Sequence, residues 1–246
     1  MINQINVFNR SLSDGQKAGV ASIVQLGITY PIDTAIKQIQ AGKKIKNIFK
    51  YKGFIPSSIN FPLSRFIGFE IVSRLKSDTS IPKPFASTYG AIISGIIKPC
   101  ITYPLDVFKI QLQTETAKTI TEAFKNIKHI PHKKHLNAIK FFQSRTIVGY
   151  FCWFNTQDIY KSEISSEKTL MNSTLSGALS GLTTAILIQP LEIGKINNQI
   201  GNPSNLSQLY RSHGISRFYS TNLFVFTAIR QVINGIIFNN IYESLK

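Results

Sequence analysis

The chain has 246 residues, of which 43% are hydrophobic, and it carries 28 Lys and Arg against 12 Asp and Glu, a formal net charge of +16. A positive excess of this size points to nucleic acid, anionic lipid or a small anionic substrate as partner. The two cysteines, Cys100 and Cys152, lie in apolar stretches without disulfide or zinc spacing, so packing is their expected role. The sequence offers no nucleophile and base constellation and no phosphate loop, so no enzyme, cofactor or metal function is expected.

Long helices are predicted over six segments: 14–39, 54–75, 85–112, 136–160, 170–197 and 215–245. Each segment exceeds the roughly 20 residues that a helix needs to cross a bilayer, although polar residues interrupt all of them. Residues 120–130 and 206–213 carry apolar side chains at helical spacing and are predicted to be short surface helices. Hydropathy alone leaves two interpretations open, a soluble helical bundle and a membrane protein whose helices line a polar cavity.

A proline motif recurs near the ends of the odd-numbered segments. Pro31, Pro104 and Pro190 are each followed by an acid two positions later and a Gln nine positions later, and they lie 73 and 86 residues apart. This repetition favours an all-α membrane protein of six transmembrane helices in three pseudo-threefold repeats, 1–80, 81–166 and 167–246. Because a proline within a helix removes a backbone hydrogen bond, the odd-numbered helices are predicted to kink there and converge at one end.

Small residues stand 13 and 9 positions before each of these prolines: Ala18 and Ser22, Ala91 and Gly95, Gly177 and Gly181. Pairs of small residues at this spacing allow helix backbones to approach closely, which is how helices associate in lipid. Three such pairs in register with three prolines favour the membrane interpretation over the soluble bundle.

Basic residues concentrate in the connections that follow the first two proline motifs, 41–53 and 114–135, and are fewer in the opposite connections. Under the positive-inside tendency, the proline ends face the inner compartment and both termini face outward. His129, His132 and His135 lie in the second basic connection without a Cys or carboxylate pattern, so they are interpreted as solvated loop histidines and not as a metal site.

These repeats resemble the mitochondrial carrier family, whose signature is Pro-x-Asp/Glu-x-x-Lys/Arg with a later Gln. The likeness covers nearly the whole chain, with repeats shorter than is usual in the family. The second and third copies fit fully: Pro104, Asp106, Lys109 and Gln113, then Pro190, Glu192, Lys195 and Gln199. The first copy keeps Pro31, Asp33 and Gln40, but it has Ile36 at the basic position and Lys37 one place later.

A second family element, an aromatic residue or Gln followed by an acid and then a base, ends the even-numbered segments. Two copies match it, Gln157-Asp158 with Lys161 and Tyr242-Glu243 with Lys246. The remaining copy keeps Lys76 but has Ser73 where the acid is expected. Both departures from the family pattern, Ile36 and Ser73, therefore lie in the first repeat.

The resemblance implies alternating access between an inner and an outer gate of ion pairs. The inner pairs expected are Asp33 with Lys109, Asp106 with Lys195, and Glu192 with Lys37 as a partial substitute, braced by Gln40, Gln113 and Gln199. The outer pairs expected are Asp158 with Lys246 and Glu243 with Lys76, while Lys161 faces the uncharged Ser73. Since a solvent-accessible ion pair contributes only about 0.2–1 kcal/mol, these losses imply shallower gates and not an inactive protein.

The resemblance also implies a substrate site midway along the even-numbered helices. The positions that match are Asn60, Arg145 and Arg230, with the adjacent Thr146 and Gln231, and Arg65 is a further candidate. An Arg guanidinium is suited to a carboxylate or a phosphate. An alternative is that Arg145 and Arg230 pair only with acids of the protein.

The expected function is exchange of an anionic metabolite, most of all a nucleotide, with phosphate or a keto or carboxylic acid as alternatives. The expected location is the inner membrane of a mitochondrion, a host mitochondrion or a mitosome, and residues 1–14 are too mixed for a clear transit peptide. We expect a monomer in contact with anionic lipid such as cardiolipin. A basic nucleic-acid-binding helical protein is the remote alternative, because the basic residues cluster in loops and at helix ends instead of along one face.

Overall fold

The computed structural model describes residues 12–78, 80–160, 169–201 and 206–245, and these form helices and turns without a strand. The α-helices in chain order are α1 (Asp14–Gln40), α2 (Phe54–Ser77), α3 (Lys83–Gln113), α4 (Ile120–His129), α5 (His132–Ile159), α6 (Leu170–Gln199), α7 (Leu206–His213) and α8 (Thr221–Ser244). The two short surface helices, α4 and α7, are confirmed. The six long helices correspond to the six predicted segments.

The start of the last long helix differs from the prediction. Residues 215–217 form a separate 3-10 turn after Gly214, whose φ is +64°, and α8 begins only after Ser220. A glycine with positive φ ends the preceding helical direction at little steric cost, so the apolar pattern continues across a break in the backbone. Helix α5 also begins at His132, four residues before the predicted start.

The six long helices form a closed ring. Each packs against the long helix before it in the chain, and α8 returns to pack against α1. At one end of the ring lie the first turn of α1 and the last turn of α8, because Asp14 and Tyr242 line the same small chamber there. We call this the termini end, and we call the opposite end, where the three proline motifs lie, the motif end.

The distribution of polar and apolar side chains in the ring is inverted relative to a water-soluble bundle. Charged and amide side chains such as Asp33, Lys37 and Lys195 are buried, whereas large apolar side chains are exposed on the outside. The exposed group includes Ile23, Val24 and Ile28 of α1, Ile92, Ile96 and Ile101 of α3, and Leu179, Ile186 and Leu187 of α6. Exposed apolar surface on this scale needs an apolar environment.

Two of the long helices are apolar enough over a sufficient length to cross a membrane by composition alone, α3 from Phe85 and α6 from Leu170. Among the described residues, the other long helices fall short of that criterion because polar side chains interrupt them. Pro31, Pro104 and Pro190 lie inside α1, α3 and α6, and the kinks expected at them stay a prediction.

The small residues before the prolines lie at helix contacts. A Cβ atom at Gly177 would meet the backbone carbonyl of Gly235 in α8, and one at Gly181 would meet that of Gln231. In α3, a Cβ atom at Gly95 would collide with Ile147 of α5. Because glycine has no side chain, the backbones of neighbouring helices can approach each other closely at these positions.

Candidate substrate cavity and its gates

A cavity of about 120 Å³ lies inside the ring, on the termini side of the proline motifs. Its described lining includes seven cations and three carboxylates, an excess of four positive charges: Lys37, Arg65, Lys98, Lys109, Arg145, Lys195 and Arg230 against Asp33, Asp106 and Glu192. The same lining holds uncharged hydrogen-bonding side chains from α2, α5 and α8. The arrangement can therefore bind an anion.

Three ion pairs join α1, α3 and α6, which are the first, third and fifth long helices, at the motif end. Lys109 Nζ of α3 lies 2.7 Å from Asp33 Oδ2 of α1, and Lys195 Nζ of α6 lies 3.1 Å from Asp106 Oδ2 of α3. The third pair closes the circle, since Lys37 Nζ of α1 lies 2.5 Å from Glu192 Oε1 of α6. Every helix of this layer thus contributes one acid and one base.

Each of the three glutamines expected to brace these pairs contacts one of them. Gln113 Nε2 donates to Asp33 Oδ2 over 3.2 Å, and Gln199 Nε2 donates to Asp106 Oδ2 over 2.7 Å. Lys37 Nζ donates to Gln40 Oε1 over 3.3 Å. The amides occupy hydrogen-bonding positions that buried charges would otherwise leave unsatisfied.

Lys37 pairs with Glu192, as expected for a substitute of the base missing at position 36, and the shallower gate stays a prediction. Glu192 contacts Lys37, and it also contacts Lys195 at 3.1 Å and the guanidinium of Arg145. Ile36, at the position of the missing base, is fully buried in an apolar cluster with Ile193, Phe218 and Leu223. A lysine side chain has a flexible four-carbon stem, so displacement by one residue along α1 does not prevent contact.

Arg145 and Arg230 line the cavity, but both already contact acids of the motif-end layer. Arg145 of α5 forms an ion pair with Glu192, and Arg230 of α8 forms one with Asp33. This geometry agrees with the alternative in which these two guanidinium groups pair with protein carboxylates. The two arginines connect α5 and α8, which are the fourth and sixth long helices, to the layer of ion pairs.

The other predicted substrate positions also line the cavity. Asn60 accepts a 3.1 Å hydrogen bond from Ser64, and Thr146 donates to the carbonyl of Phe142 over 2.7 Å. Gln231 lies beside Arg230 on α8 and faces the same space. Arg65 extends into it from α2, with its guanidinium carbon 4.6 Å from the ring centre of Phe238.

Lys98 is a cavity residue that the sequence reasoning missed. It is 8% exposed on α3, and its ammonium lies 5.0 Å from the ring centre of Tyr150 and 5.8 Å from that of Phe142. The signal was present, since Lys98 interrupts the most apolar helix of the chain six positions before Pro104. It was missed because the family resemblance directs attention to the even-numbered helices alone.

Aromatic side chains from α2, α5 and α8 close the ring on the termini side of the cavity. The ring centre of Phe69 lies 5.0 Å from that of Phe154 and 5.1 Å from those of Phe238 and Tyr242. All four side chains are buried. Aromatic packing therefore joins α2, α5 and α8 at this end.

The charged pairs of the termini end differ from the expectation. Lys76 Nζ lies 2.8 and 2.9 Å from the carboxylate oxygens of Asp158 and not beside Glu243. Ser87 of α3 also donates to Asp158, over 2.5 Å. Ser73 donates to Asp14 over 2.7 Å. The expected roles of Lys161 and Lys246 fall outside the described residues.

Within the residues that the structure describes, no group of three or more His, Cys, Asp and Glu side chains could hold a metal ion. His135 is engaged otherwise, because its Nδ1 lies 2.7 Å from the hydroxyl of Tyr103.

The fold and the site together define a class of protein, a ring of long helices around a basic cavity closed by a layer of cross-helix ion pairs. The chain belongs to the mitochondrial carrier family, since the family model described as "Mitochondrial carrier protein" matches residues 82–140 and 166–246. Members of this family are transporters and not enzymes. The matched segments begin after the first repeat, in which both departures from the signature, Ile36 and Ser73, occur.

The chain is also similar to "Mitochondrial substrate carrier family protein X" of Dictyostelium discoideum. The two are 21% identical over 191 residues, which is 70% of this chain and 62% of that protein. The chain therefore spans about three fifths of the length of this relative.

Proposed function

We propose that this protein transports a small anionic metabolite across a membrane by alternating access to the cavity. The observation that carries the proposal is the excess of four positive charges in a cavity enclosed by six helices. In a site of low dielectric constant, such an excess attracts an anion far more strongly than it would in water. The three motif-end ion pairs and the aromatic layer at the termini end would form the two gates.

The ring has charged side chains inside and apolar side chains outside, which supports a position within a lipid bilayer with all six long helices crossing it. The exposed isoleucine and leucine side chains of α1, α3 and α6 would face lipid, and the buried charges would face the cavity. Family membership supports the mitochondrial inner membrane, with the basic 41–53 connection inside and both termini outside. We infer that the protein acts as a monomer and that its basic connections contact anionic lipid such as cardiolipin.

The size of the cavity favours a compact substrate. Sites for larger organic ligands enclose roughly 300–1,000 Å³. The cavity here measures about 120 Å³, which suits phosphate or a short keto or carboxylic acid better than the nucleotide expected from the sequence. A nucleotide would need the ring to widen, as it would when either gate opens.

A nucleic-acid-binding function is disfavoured by the placement of the basic side chains. Arg65, Lys98 and Arg230 lie inside the ring, where a polyanion cannot reach them. The outer faces of α1, α3 and α6 are apolar.

Uptake into liposomes tests the proposed function. Purified protein would be reconstituted with or without internal anion, and uptake of labelled phosphate, malate, pyruvate and ADP would be measured. We expect saturable uptake of at least one of the first three, faster when the vesicles contain an anion if the mechanism is exchange. Uptake of none of the four above protein-free vesicles would contradict the proposal, and uptake of ADP alone would restore the nucleotide assignment.

A further inference from the structure

Two of the cavity cations have no carboxylate partner among the residues that the structure describes. The three acids of the lining are already engaged by the other five cations, Lys37, Lys109, Lys195, Arg145 and Arg230. Within the described part of the chain, neither Arg65 nor Lys98 forms an ion pair, and both face the rings of aromatic side chains. Half of the excess of four positive charges therefore resides on one residue of α2 and one of α3, and the other half lies in the layer where five cations share three acids.

These two cations share one wall of the cavity. Arg65 lies over Phe238 and within 5.4 Å of the ring centre of Trp153, while Lys98 lies 5.0 Å from the ring centre of Tyr150. Tyr150 donates its hydroxyl to the carbonyl of Ser64, the residue before Arg65, over 2.8 Å. The tyrosine thus connects the surroundings of both cations.

A buried cation without an anion destabilises a folded protein, because aromatic rings replace only part of the lost hydration. Such residues within a membrane domain generally pair with another group or mark the path of a ligand. Because the protein acids are engaged, the missing counter-charge is expected from a bound anion. Arg65 offers a planar fork for two oxygens, and Lys98 offers a compact point charge.

A third side chain identifies a further property of the ligand. Asn234 lies on α8, one helical turn before Phe238, lines the cavity and is 7% exposed. Its Oδ1 atom is buried and accepts no hydrogen bond from the described residues. Since an unsatisfied buried acceptor is costly, it is suited to a ligand that donates a hydrogen bond.

We propose that Arg65 and Lys98 bind the anionic group of a compact oxyanion, a carboxylate or a phosphate, and that Asn234 accepts a hydrogen bond from a hydroxyl of the same molecule. This inference rests on the proposed function and deepens it. It assigns part of the substrate site to α3, the third long helix, in addition to the second, fourth and sixth. It also separates Arg65 and Lys98, which bind the anion, from Arg145 and Arg230, which hold the motif-end layer together.

Thermal unfolding of the purified protein in detergent tests the assignment without transport. The variants are Arg65→Gln and Lys98→Gln, and the control is Arg74→Gln, on the same helix as Arg65 but with a side chain 80% exposed. The probes are phosphate, malate and succinate. Because each cavity variant removes an uncompensated buried charge, we expect its unfolding temperature without anion to equal or exceed that of the wild type.

With anion present, the wild type and Arg74→Gln are expected to unfold at higher temperature, since a ligand that binds only the folded state stabilises it. The cavity variants are expected to need at least about tenfold more anion for the same shift, as is usual when a charged hydrogen bond is lost. Arg65→Lys and Lys98→Arg, which keep the charge, should recover part of the response. Stabilisation by phosphate alone or by malate alone decides between the two oxyanions.

Asn234→Leu tests the hydroxyl. Malate and succinate differ by one hydroxyl group, so the wild type should prefer malate and the variant should bind both equally. The assignment of Arg65 and Lys98 would be overturned by either of two results. One is that both cavity variants respond to anion as the wild type does. The other is that no probe stabilises the wild type. Binding with the expected sensitivity but no uptake into liposomes would support the site and contradict the proposed transport function.

Discussion

Lys37 Nζ lies 2.5 Å from Glu192 Oε1, and this contact joins the first long helix to α6 across the motif end. Both side chains are 3% exposed, so the pair is shielded from solvent and salt. The family signature would place the base at position 36, where this chain has an isoleucine. The contact shows that a base displaced by one residue can complete the circle of ion pairs.

The first prediction concerns this displaced base. Lys37→Gln should lower the free energy of unfolding by about 1–3 kcal/mol. This is less than the ~3–5 kcal/mol typical of a broken buried pair, because Glu192 retains Lys195 and Arg145. Thermal unfolding in detergent would measure the loss. If Lys37→Gln unfolds at the same temperature as the wild type, the contact between Lys37 and Glu192 contributes nothing to the stability of this state.

Ile36→Lys is the informative counterpart, because the family pattern alone would predict that it strengthens the layer. The side chain of Ile36 is fully buried against Ile193 and Leu223. A lysine there would be a buried charge in apolar surroundings, and we expect a loss of about 3–5 kcal/mol. A gain in stability would mean that position 36 faces Glu192 after all.

The second prediction concerns the contact of α6 with α8. Gly177→Val should prevent the approach of the two backbones and cost about 3 kcal/mol, because the new Cβ atom would clash with the backbone carbonyl of Gly235, which cannot move aside as a side chain can. Gly27→Val is the matched control, since nothing lies within 4 Å of a Cβ atom at Gly27. Unfolding can be followed through the thiol of Cys152, which is buried, in a Cys100→Ala background. Equal stability of the two variants would contradict the close contact.

Sequence reasoning anticipated the elements and layers that depend on repetition. Three copies of a spacing identified the prolines, the acids and the glutamines, and the structure brings Asp33, Asp106 and Glu192 together as that register implies. The partners within the motif-end layer were expected one by one, whereas the partner of Lys76 at the termini end was not. Lys76 and Ser87 both contact the carboxylate of Asp158, and contacts of this kind leave no periodic pattern in the sequence.

The cavity shows the same division. The positions of Asn60, Arg145 and Arg230 on its wall were implied by the family resemblance, whereas the distinction between paired and unpaired cations required the positions of the acids. Lys98 lies outside the repeated register and was visible only as a charge in an apolar helix. A buried lysine in such a helix is informative even where no motif includes it.

The third prediction concerns acid pH at the motif end. Glu115 lies in the connection that follows α3. Its Oε1 atom accepts a 2.8 Å hydrogen bond from Asn47 and lies near Lys52. The hydrogen bond first, and then the lysine, lower the pKa of Glu115. A carboxylate whose pKa is lower in the folded state stabilises that state above the unfolded pKa, about 4.3 for Glu, and the contribution disappears as the pH falls through the folded pKa. Glu115→Gln should therefore unfold at a lower temperature than the wild type at pH 7, and the difference should shrink as the pH falls below about 4.3. A difference that is independent of pH would exclude the charge of Glu115 as its cause.

The fourth prediction concerns orientation in the membrane. Lys44 lies exposed in the basic 41–53 connection at the motif end, and Ser77 lies exposed at the end of α2 at the termini end. In a Cys100→Ala background, Ser77→Cys should react with a membrane-impermeant thiol reagent in intact mitochondria. Lys44→Cys should react only after the inner membrane is opened. The opposite labelling pattern would reverse the proposed orientation.

The last prediction separates the gate guanidinium of Arg145 from the anion site. Its partner Glu192 is 3% exposed, so removal of Arg145 leaves one of the carboxylate oxygens without its cation. Arg145→Gln should lower the unfolding temperature, by the equivalent of about 1–3 kcal/mol, since Lys37 and Lys195 still contact Glu192.

The anion concentration for half-maximal stabilisation of Arg145→Gln should stay within about threefold of the wild type, because the anion is assigned to Arg65 and Lys98. Combination with Glu192→Gln supplies the control, since two residues in direct contact give a non-additive loss in a double-mutant cycle. The contrast is with Arg65→Gln, for which stability without anion is retained and the response to anion is lost. If Arg145→Gln instead keeps the wild-type unfolding temperature and no longer responds to anion, Arg145 belongs to the substrate site and its contact with Glu192 is the resting position of a ligand-binding side chain.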